Sequence, residues 1–188
     1  MNTNHFKHLL AATMLLACTY ATQAQERYFT RTGTIAFFSE TPMENIEAHN
    51  YKVTSVWDAT TGAVEFAALI KAFEFEKALM QEHFNENYME SSTFPKATFK
   101  GTFSGVTADQ LKKPGTYQVD VKGDLTIHGV TKPVATTGTV EVDKEGKVKA
   151  ENTFVVSPED HDIEIPGMVR DKIAKEIQVQ VRIDYQLM

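Results

Sequence analysis

The chain has 188 residues, 42% of them hydrophobic, and a formal net charge of −6 at pH 7. A mildly acidic chain without basic clusters is a poor match for nucleic acid or an anionic membrane surface, so neither is expected as a partner. The sole cysteine is Cys18, and a domain without that residue would have no disulfide, thiolate metal site, cysteine nucleophile or thioether-linked haem.

The N-terminus has the layout of a secretory signal peptide. The apolar run at residues 9–17 has signal-peptide length and is too short to cross a bilayer, and Thr22-Gln23-Ala24 offers a cleavage site before Gln25. We therefore expect residues 1–24 to be a signal peptide and residues 25–188 to form one exported, periplasmic domain. No later apolar run is long enough to span a membrane, so no transmembrane segment is expected.

Two other interpretations of this segment stay open. The stretch Leu15-Leu16-Ala17-Cys18 resembles a lipobox, in which Cys18 would be acylated and would anchor an otherwise soluble domain as a lipoprotein. The apolar run would otherwise be a buried N-terminal helix of the domain.

Strand patterns fill the first part of the domain. Residues 26–39 and 45–58 are rich in aromatic and β-branched side chains and are separated by the breaker Glu40-Thr41-Pro42. Residues 59–62 have the composition of a turn. The apolar residues at 64, 66, 68 and 70 then recur with a period of two, which is typical of a half-buried strand.

The period changes after residue 73. Phe75, Leu79, Met80 and Phe84 have helical spacing with charged residues between them, which predicts one amphipathic helix over residues 74–89. Phe94-Pro95 leads out of this segment, because the residue before a proline avoids the helical conformation.

Strand patterns then return and continue to the C-terminus. Residues 97–103 and 117–127 alternate strictly, and His128-Gly129 follows as a tight turn. Pro133 has no N–H to donate, so it is expected at the beginning of the next strand or on an edge. Further strands are predicted at 134–142, 147–156 and 177–187, with a turn at 143–146 and a long loop at 157–170.

These patterns predict an all-β domain of about eight strands and one helix. Strands with one apolar face must bury it, either in a sandwich or in a closed barrel. Hairpin turns dominate and no long crossover is evident, which favours an antiparallel barrel. An eight-stranded barrel has an interior just wide enough for side chains or one small ligand.

Three stretches resemble the YceI-like family of bacterial envelope proteins. The longest is Gly123-Asp124-Leu125-Thr126-Ile127-His128-Gly129-Val130-Thr131-Lys132-Pro133-Val134. The others are residues 84–101, preceded by His83, and residues 160–166 followed by the last alternating strand. The resemblance runs from about residue 26 to the C-terminus and is weakest at residues 38–44.

The resemblance implies a lipocalin-like antiparallel barrel with an inserted helix near its mouth. It implies non-catalytic binding or transport of a long apolar molecule in the cell envelope, such as an isoprenoid, a quinone or a fatty-acid-like chain. It implies no cofactor, no metal and no common catalytic apparatus. Whether the domain stays monomeric or forms a homodimer is left open.

Candidate ligand-binding residues follow from the apolar strand faces and the helix. Each of them could equally pack in the core, because the interior of a barrel of this size must also be filled by side chains. The candidates are Phe37, Val64, Phe66, Ala68, Phe99, Phe103, Leu125, Val179 and Val181 on strands, with Met80 and Phe84 on the helix.

The alternative function is an enzyme, most readily a hydrolase or isomerase that uses His83, His128 or His161. No two of these histidines have metal-ligand spacing. His161 lies between two aspartates, for which a solvated loop is the favoured interpretation, and a turn role is favoured for His128. A third option is a structural or interaction module whose barrel is filled by side chains.

Overall fold

The computed structural model describes residues 26–188. The predicted signal peptide, its cleavage site and Cys18 lie outside the described residues.

The described residues form nine strands and one short α-helix. The helix, α1, spans Ala78–His83 and continues into a wider π-type turn, Phe84–Tyr88. The strands are β1 Arg27–Glu40, β2 Asn45–Asp58, β3 Ala63–Leu69, β4 Glu74–Phe75, β5 Lys96–Ser104, β6 Gly115–Ile127, β7 Val130–Val142, β8 Val148–Val156 and β9 Ile177–Leu187.

Eight of these strands close into a ring. Their order is β1-β9-β8-β7-β6-β5-β3-β2, and β1 pairs with β2 to complete the circle, while the two-residue β4 pairs only with β2. Every pairing is antiparallel. The predicted eight-stranded antiparallel barrel with an inserted helix is therefore confirmed, and the sandwich is excluded.

The helix is shorter than the predicted range 74–89. Glu74 and Phe75 are extended because they form β4 and pair with β2, so the prediction is wrong at its first turn. Pairing with β2 gives their backbone groups hydrogen-bond partners, and this outweighs the helical spacing of the side chains.

Large aromatic rings fill the barrel end at which β1 begins and β2 ends. Trp57 lies 5.5 Å between ring centroids from both Tyr28 and Tyr185, and 5.4 Å from Phe103. The hydroxyl groups of Tyr185 and Ser55 share a hydrogen bond of 2.8 Å. Burial raises the pKa of Tyr185 above its ordinary value of 10.0, although the bond to Ser55 acts in the opposite direction. The phenol therefore stays neutral, as an apolar interior requires.

The opposite end is covered by two segments that we call the cap, residues 70–95 and 157–176. Buried residues from both segments meet in one apolar cluster, consisting of Ile70, Met89, Ile163 and Ile165. A neighbouring group of four rings joins the cap to β1, with centroids 5.0–5.7 Å apart; its members are Phe37, Phe73, Phe75 and Phe84. Both ends of the barrel are thus closed by packed side chains.

The β6–β7 hairpin turns in two residues, as its sequence predicts. His128 and Gly129 have φ angles of 51° and 77°, the left-handed values that a tight hairpin turn requires at both positions. Glycine is also needed at 129 for space, because a Cβ there would lie 2.6 Å from the ring of Phe94.

Two glycines face each other across β5 and β6. Gly101 pairs with Gly123, and the ring of Phe99 lies over both, 2.6 and 2.8 Å from where their Cβ atoms would be. A Cβ on either residue would also lie 2.3 Å from a neighbouring carbonyl oxygen, that of Lys122 or Lys100. The wall can therefore approach Phe99 this closely only with glycine at both positions.

We predict that Gly123→Ala lowers the free energy of unfolding by about 1–3 kcal/mol, because the added carbon overpacks against rigid backbone. Urea unfolding followed by circular dichroism measures the change. Gly167→Ala is the matched control, since its Cβ would meet nothing within 4 Å, and it should stay within about 0.5 kcal/mol of the unmodified protein. Equal stability of the two variants would contradict the close approach.

Candidate functional site

An apolar cavity lies inside the barrel between the aromatic end and the cap. Its volume is about 100 Å³, and its wall is almost entirely apolar. Strands β1, β3 and β5 to β9 contribute to it. The lining residues are Ile35, Phe66, Ala68, Ala97, Thr98, Phe99, Phe103, Val119, Val121, Leu125, Val134, Thr136, Gly138, Thr139, Ala150, Glu151, Asn152, Phe154, Val181 and Ile183.

Six of the eleven residues proposed from the sequence lie in this lining: Phe66, Ala68, Phe99, Phe103, Leu125 and Val181. They come from four different strands, β3, β5, β6 and β9, which the barrel brings together around one space. The ring of Phe66 lies 6.1 Å from that of Phe99 and 6.2 Å from that of Phe103, which in turn contacts Trp57 of the aromatic end.

The other five candidates lie outside the lining. Val64 is only 1% exposed and belongs to the packed core around Trp57. Phe37 and Phe84 belong to the four-ring group of the cap. Val179 pairs with Phe37, and Met80 lies half-buried on α1.

Several lining residues were not among the candidates. Val119 and Val121 share a face with Leu125 in the alternating pattern of β6, so the signal for them was present in the sequence. Phe154 carried the same signal, since it shares a face with Val148 and Ala150 along β8. Thr136 and Asn152 also lie on the inner faces of β7 and β8, but they are polar, so hydrophobic alternation did not single them out.

The polar side chains of the lining are nearly all uncharged. Thr98, Thr136, Thr139 and Asn152 supply hydroxyl and amide groups, and Glu151 is the single ionisable lining residue. Glu151 is exposed and pairs with Arg182 at 3.7 Å. The cavity therefore offers hydrogen bonds to an uncharged group, but its lining holds no lysine, arginine or histidine to neutralise an anion.

A second hollow lies on the barrel wall among β1, β2, β3 and β5. It is larger, at about 300 Å³, but its lining includes Arg31, Glu65 and Lys100 together with Val56, which is 43% exposed. These residues keep their contact with water, so an apolar chain would gain less by binding there than inside the barrel.

The three histidines of the enzyme hypothesis all lie outside the cavity lining. His83 is exposed at the end of α1. The ring of His161 is 3% exposed, and its Nδ1 donates to the carbonyl oxygen of Val130 at 3.0 Å. The Nδ1 of His128 donates to the carbonyl oxygen of His161 at 3.3 Å. The expectation of a solvated His161 is therefore wrong, because the loop folds back onto the β6–β7 hairpin and buries this ring.

His128 and His161 thus connect the hairpin to the cap. His128 also packs against Phe94, with centroids 4.5 Å apart, and its Nε2 lies 3.6 Å from Glu90 Oε1. Within residues 26–188, no group of three or more His, Cys, Asp or Glu side chains is placed to hold a metal ion. None of the helices in this range is long and apolar enough to cross a membrane.

Comparison with known families gives one match that spans most of the chain. A model of the YceI-like domain matches residues 22–185. Among curated proteins, no match is found.

Solved structures share the fold at low sequence identity. A polyisoprenoid binding domain from Saccharophagus degradans, implicated in plant cell wall breakdown, superposes with a TM-score of 0.74 at 14% identity, over 88% of this chain and 100% of that one. BcnA from Burkholderia cenocepacia gives 0.67 at 14% identity, over 82% and 96%. The YCEI protein of Campylobacter jejuni gives 0.60 at 13% identity, over 79% and 88%. At such identities the likeness establishes the fold.

We predict that His161→Ala costs about 1–3 kcal/mol of stability, because it removes a buried donor from the Val130 carbonyl and leaves a void under the cap. His83→Ala, at an exposed position, is the control and should be close to neutral. Thermal unfolding of both variants measures the difference. A destabilisation no greater than that of the control would mean that the buried hydrogen bond does not hold the cap.

Proposed function

The chain belongs to the YceI-like family, and we propose that its barrel binds and carries a long apolar molecule without catalysing a reaction. The observation that carries the proposal is the cavity, whose wall is almost entirely apolar and is assembled from seven strands. Each methylene moved from water into such a site gains about 0.8 kcal/mol, so a chain needs few polar contacts to bind tightly. The polyisoprenoid binding domain of Saccharophagus degradans, which shares this fold, supports the same ligand class.

The cavity must widen to accept such a ligand. Its volume of about 100 Å³ is below the roughly 300–1,000 Å³ that is usual for ligand sites. The half-buried rings of Phe66, Phe99 and Phe154 border the space. We infer that these rings occupy part of the site when it is empty and yield to the bound chain.

The lining favours a chain with an uncharged end, such as an isoprenoid alcohol or a quinone. A carboxylate or phosphate buried here would meet no cation in the lining, and an unpaired buried charge is costly. A fatty-acid-like ligand would therefore have to keep its head group in water.

The hydrolase or isomerase hypothesis has less support. Catalysis by His83, His128 or His161 would need the ring beside the bound substrate, and all three lie outside the cavity lining. Both buried histidines are engaged in holding the cap to the hairpin.

The proposed site of action is the bacterial cell envelope, with the protein periplasmic after export. This follows from the signal-peptide pattern of residues 1–24, and the lipobox at Cys18 would give a membrane-anchored form of the same domain.

We predict that organic extracts of the natively purified protein contain a long apolar molecule and that Phe66→Trp loses it or retains a shorter one. The larger ring would occupy space in the cavity that the chain needs. Mass spectrometry of the extracts measures this. Glu65→Trp is the matched control, because Glu65 is next to Phe66 in the chain but is exposed and lies outside the cavity lining. The carrier function would be contradicted if the extracts of the unmodified protein contained no long apolar molecule and those of Phe66→Trp were the same.

We predict that all-trans-retinol binds at least about tenfold more tightly than all-trans-retinoate at pH 8. The two molecules share one isoprenoid skeleton and differ in the charge of the end group, whose burial is costly here. Quenching of Trp57, the sole tryptophan, provides the titration signal for both ligands. Equal or tighter binding of the carboxylate would reject the preference for an uncharged end.

A further inference from the structure

The hydrogen-bond ladder between β7 and β8 is incomplete. It runs from Val142↔Val148 to Gly138↔Asn152 and ends there, although both strands continue toward the cap. Beyond this point β7 stays paired with β6 as far as Val130, and β8 stays paired with β9 as far as Val156. These two strands therefore part while each is still held on its other side. We call this space the β7–β8 gap, bounded by residues 131–137 and 153–156. Strands β2 and β3 also part, beyond Thr54↔Ala67, but there the Asn50 amide donates to the Leu69 carbonyl oxygen, β4 pairs with β2, and β2 contributes no residue to the cavity lining.

The cavity extends to this gap. Val134 and Thr136 line it from β7, and Asn152 and Phe154 line it from β8. All four are half-buried, whereas the residues on the same inner face where the ladder is intact, such as Val140 and Val148, are at most 3% exposed. Inner residues that keep contact with water indicate that the wall is open at this place.

Side-chain hydrogen bonds lie near both ends of the gap, but only those of Asn152 join β7 to β8. The Asn152 amide donates to the Thr137 carbonyl oxygen at 2.6 Å, just where the backbone ladder stops. At the other end, His161 donates to the Val130 carbonyl oxygen at 3.0 Å and fastens the cap to β7. Beyond the end of the ladder, Asn152 therefore supplies the link between the two strands, and His161 holds the cap over the start of β7.

Pro133 makes the β7 side of the gap unsuitable for an added strand. Backbone groups alternate in direction along an antiparallel strand, and the Thr137 carbonyl points toward β8. Pro133, four residues earlier, therefore turns its nitrogen to the same side, and this nitrogen has no proton to donate. Pro133 therefore lies on an unpaired edge of β7, one of the two positions expected from the sequence. Its missing N–H protects this edge against pairing with another chain.

We propose that the apolar ligand enters and leaves the barrel sideways through the β7–β8 gap; this route rests on the binding function proposed above. Both ends of the barrel are closed by packed clusters, those of the aromatic end and the cap. Parting two fully paired strands would break several backbone hydrogen bonds, whereas widening the gap breaks only the side-chain hydrogen bonds of Asn152 with Thr137 and Thr136. The neighbouring rings of Phe99 and Phe154 give the chain an apolar path into the cavity.

The test closes the gap with a covalent bridge and measures ligand exchange. Extension of the β7–β8 register would place Ala135 opposite Val155, and both are exposed and outside the cavity lining. We would introduce Ala135→Cys and Val155→Cys in a Cys18→Ser background. The thiols are bridged as a disulfide or with a one-carbon bis-methanethiosulfonate, and the bridge is verified by intact mass.

Stopped-flow fluorescence of all-trans-retinol then gives the rates of uptake and release. We expect bridging to slow both rates at least about tenfold, to leave Kd within about twofold, and to be reversed by reductant. Thr126→Cys with Thr131→Cys is the matched control, because these side chains face each other across the intact β6–β7 ladder with their hydroxyls 2.8 Å apart. Its bridge should leave both rates unchanged.

Unchanged exchange in the bridged gap variant, or equal slowing by the control bridge, would overturn the lateral route while leaving the binding function intact. A failure of the unmodified protein to bind retinol, together with extracts empty of apolar chains, would reject the binding function itself, and the route with it.

A second variant tests the route without a bridge. Asn152→Ala removes the hydrogen bonds to Thr137 and Thr136 and should speed both uptake and release of retinol about two- to tenfold, whereas the loss of a contact with the ligand would speed release alone. Thr153→Ala, at the neighbouring exposed position, is the control and should release retinol at the unmodified rate. Release no faster than in this control would contradict a role of Asn152 in holding the gap.

Discussion

Closure of the sheet through β1 is the constraint on which the rest of the structure depends. This strand pairs with β2 along one edge and with β9 along the other, so eight strands enclose an interior of fixed width. Such an interior has room for side chains or for one ligand. Tyr28, Trp57 and Tyr185 fill one end of it with rings, whereas aliphatic residues and phenylalanines surround an empty space in the middle. The cavity is the space that this uneven filling leaves.

The same closure determines where the barrel can open. A ring of strands that are hydrogen-bonded on both sides resists separation, because each parted pair loses several backbone bonds. The wall of this barrel lacks such bonds in the β7–β8 gap, where the side chain of Asn152 links the two strands instead. His161 holds the cap to the start of β7 beside it.

Much of the fold could be predicted from the sequence, because alternation of apolar and polar residues reports directly which face of a strand is buried. This signal was strong for β6 and β9, and the His128-Gly129 turn has the composition that a tight hairpin demands. The helix was predicted too long because pairing of β4 with β2 is a long-range contact that local spacing does not encode. The burial of His161 was missed for the same reason, since its acceptor lies 31 residues away in the chain.

The site was predictable only in part. Alternation identified Phe66, Phe99 and Leu125 as inward-facing, but it did not distinguish a residue beside an empty space from one in a packed core, as Val64 shows. That distinction depends on how side chains from non-adjacent strands fill the interior.

The most direct test of the account is a crystal structure of the protein with 12-bromododecan-1-ol, in which anomalous scattering locates the bromine. The account predicts the chain inside the barrel, with the rings of Phe99 and Phe154 displaced to admit it. A chain found only in the outer hollow beside Val56, with the interior unchanged, would contradict it.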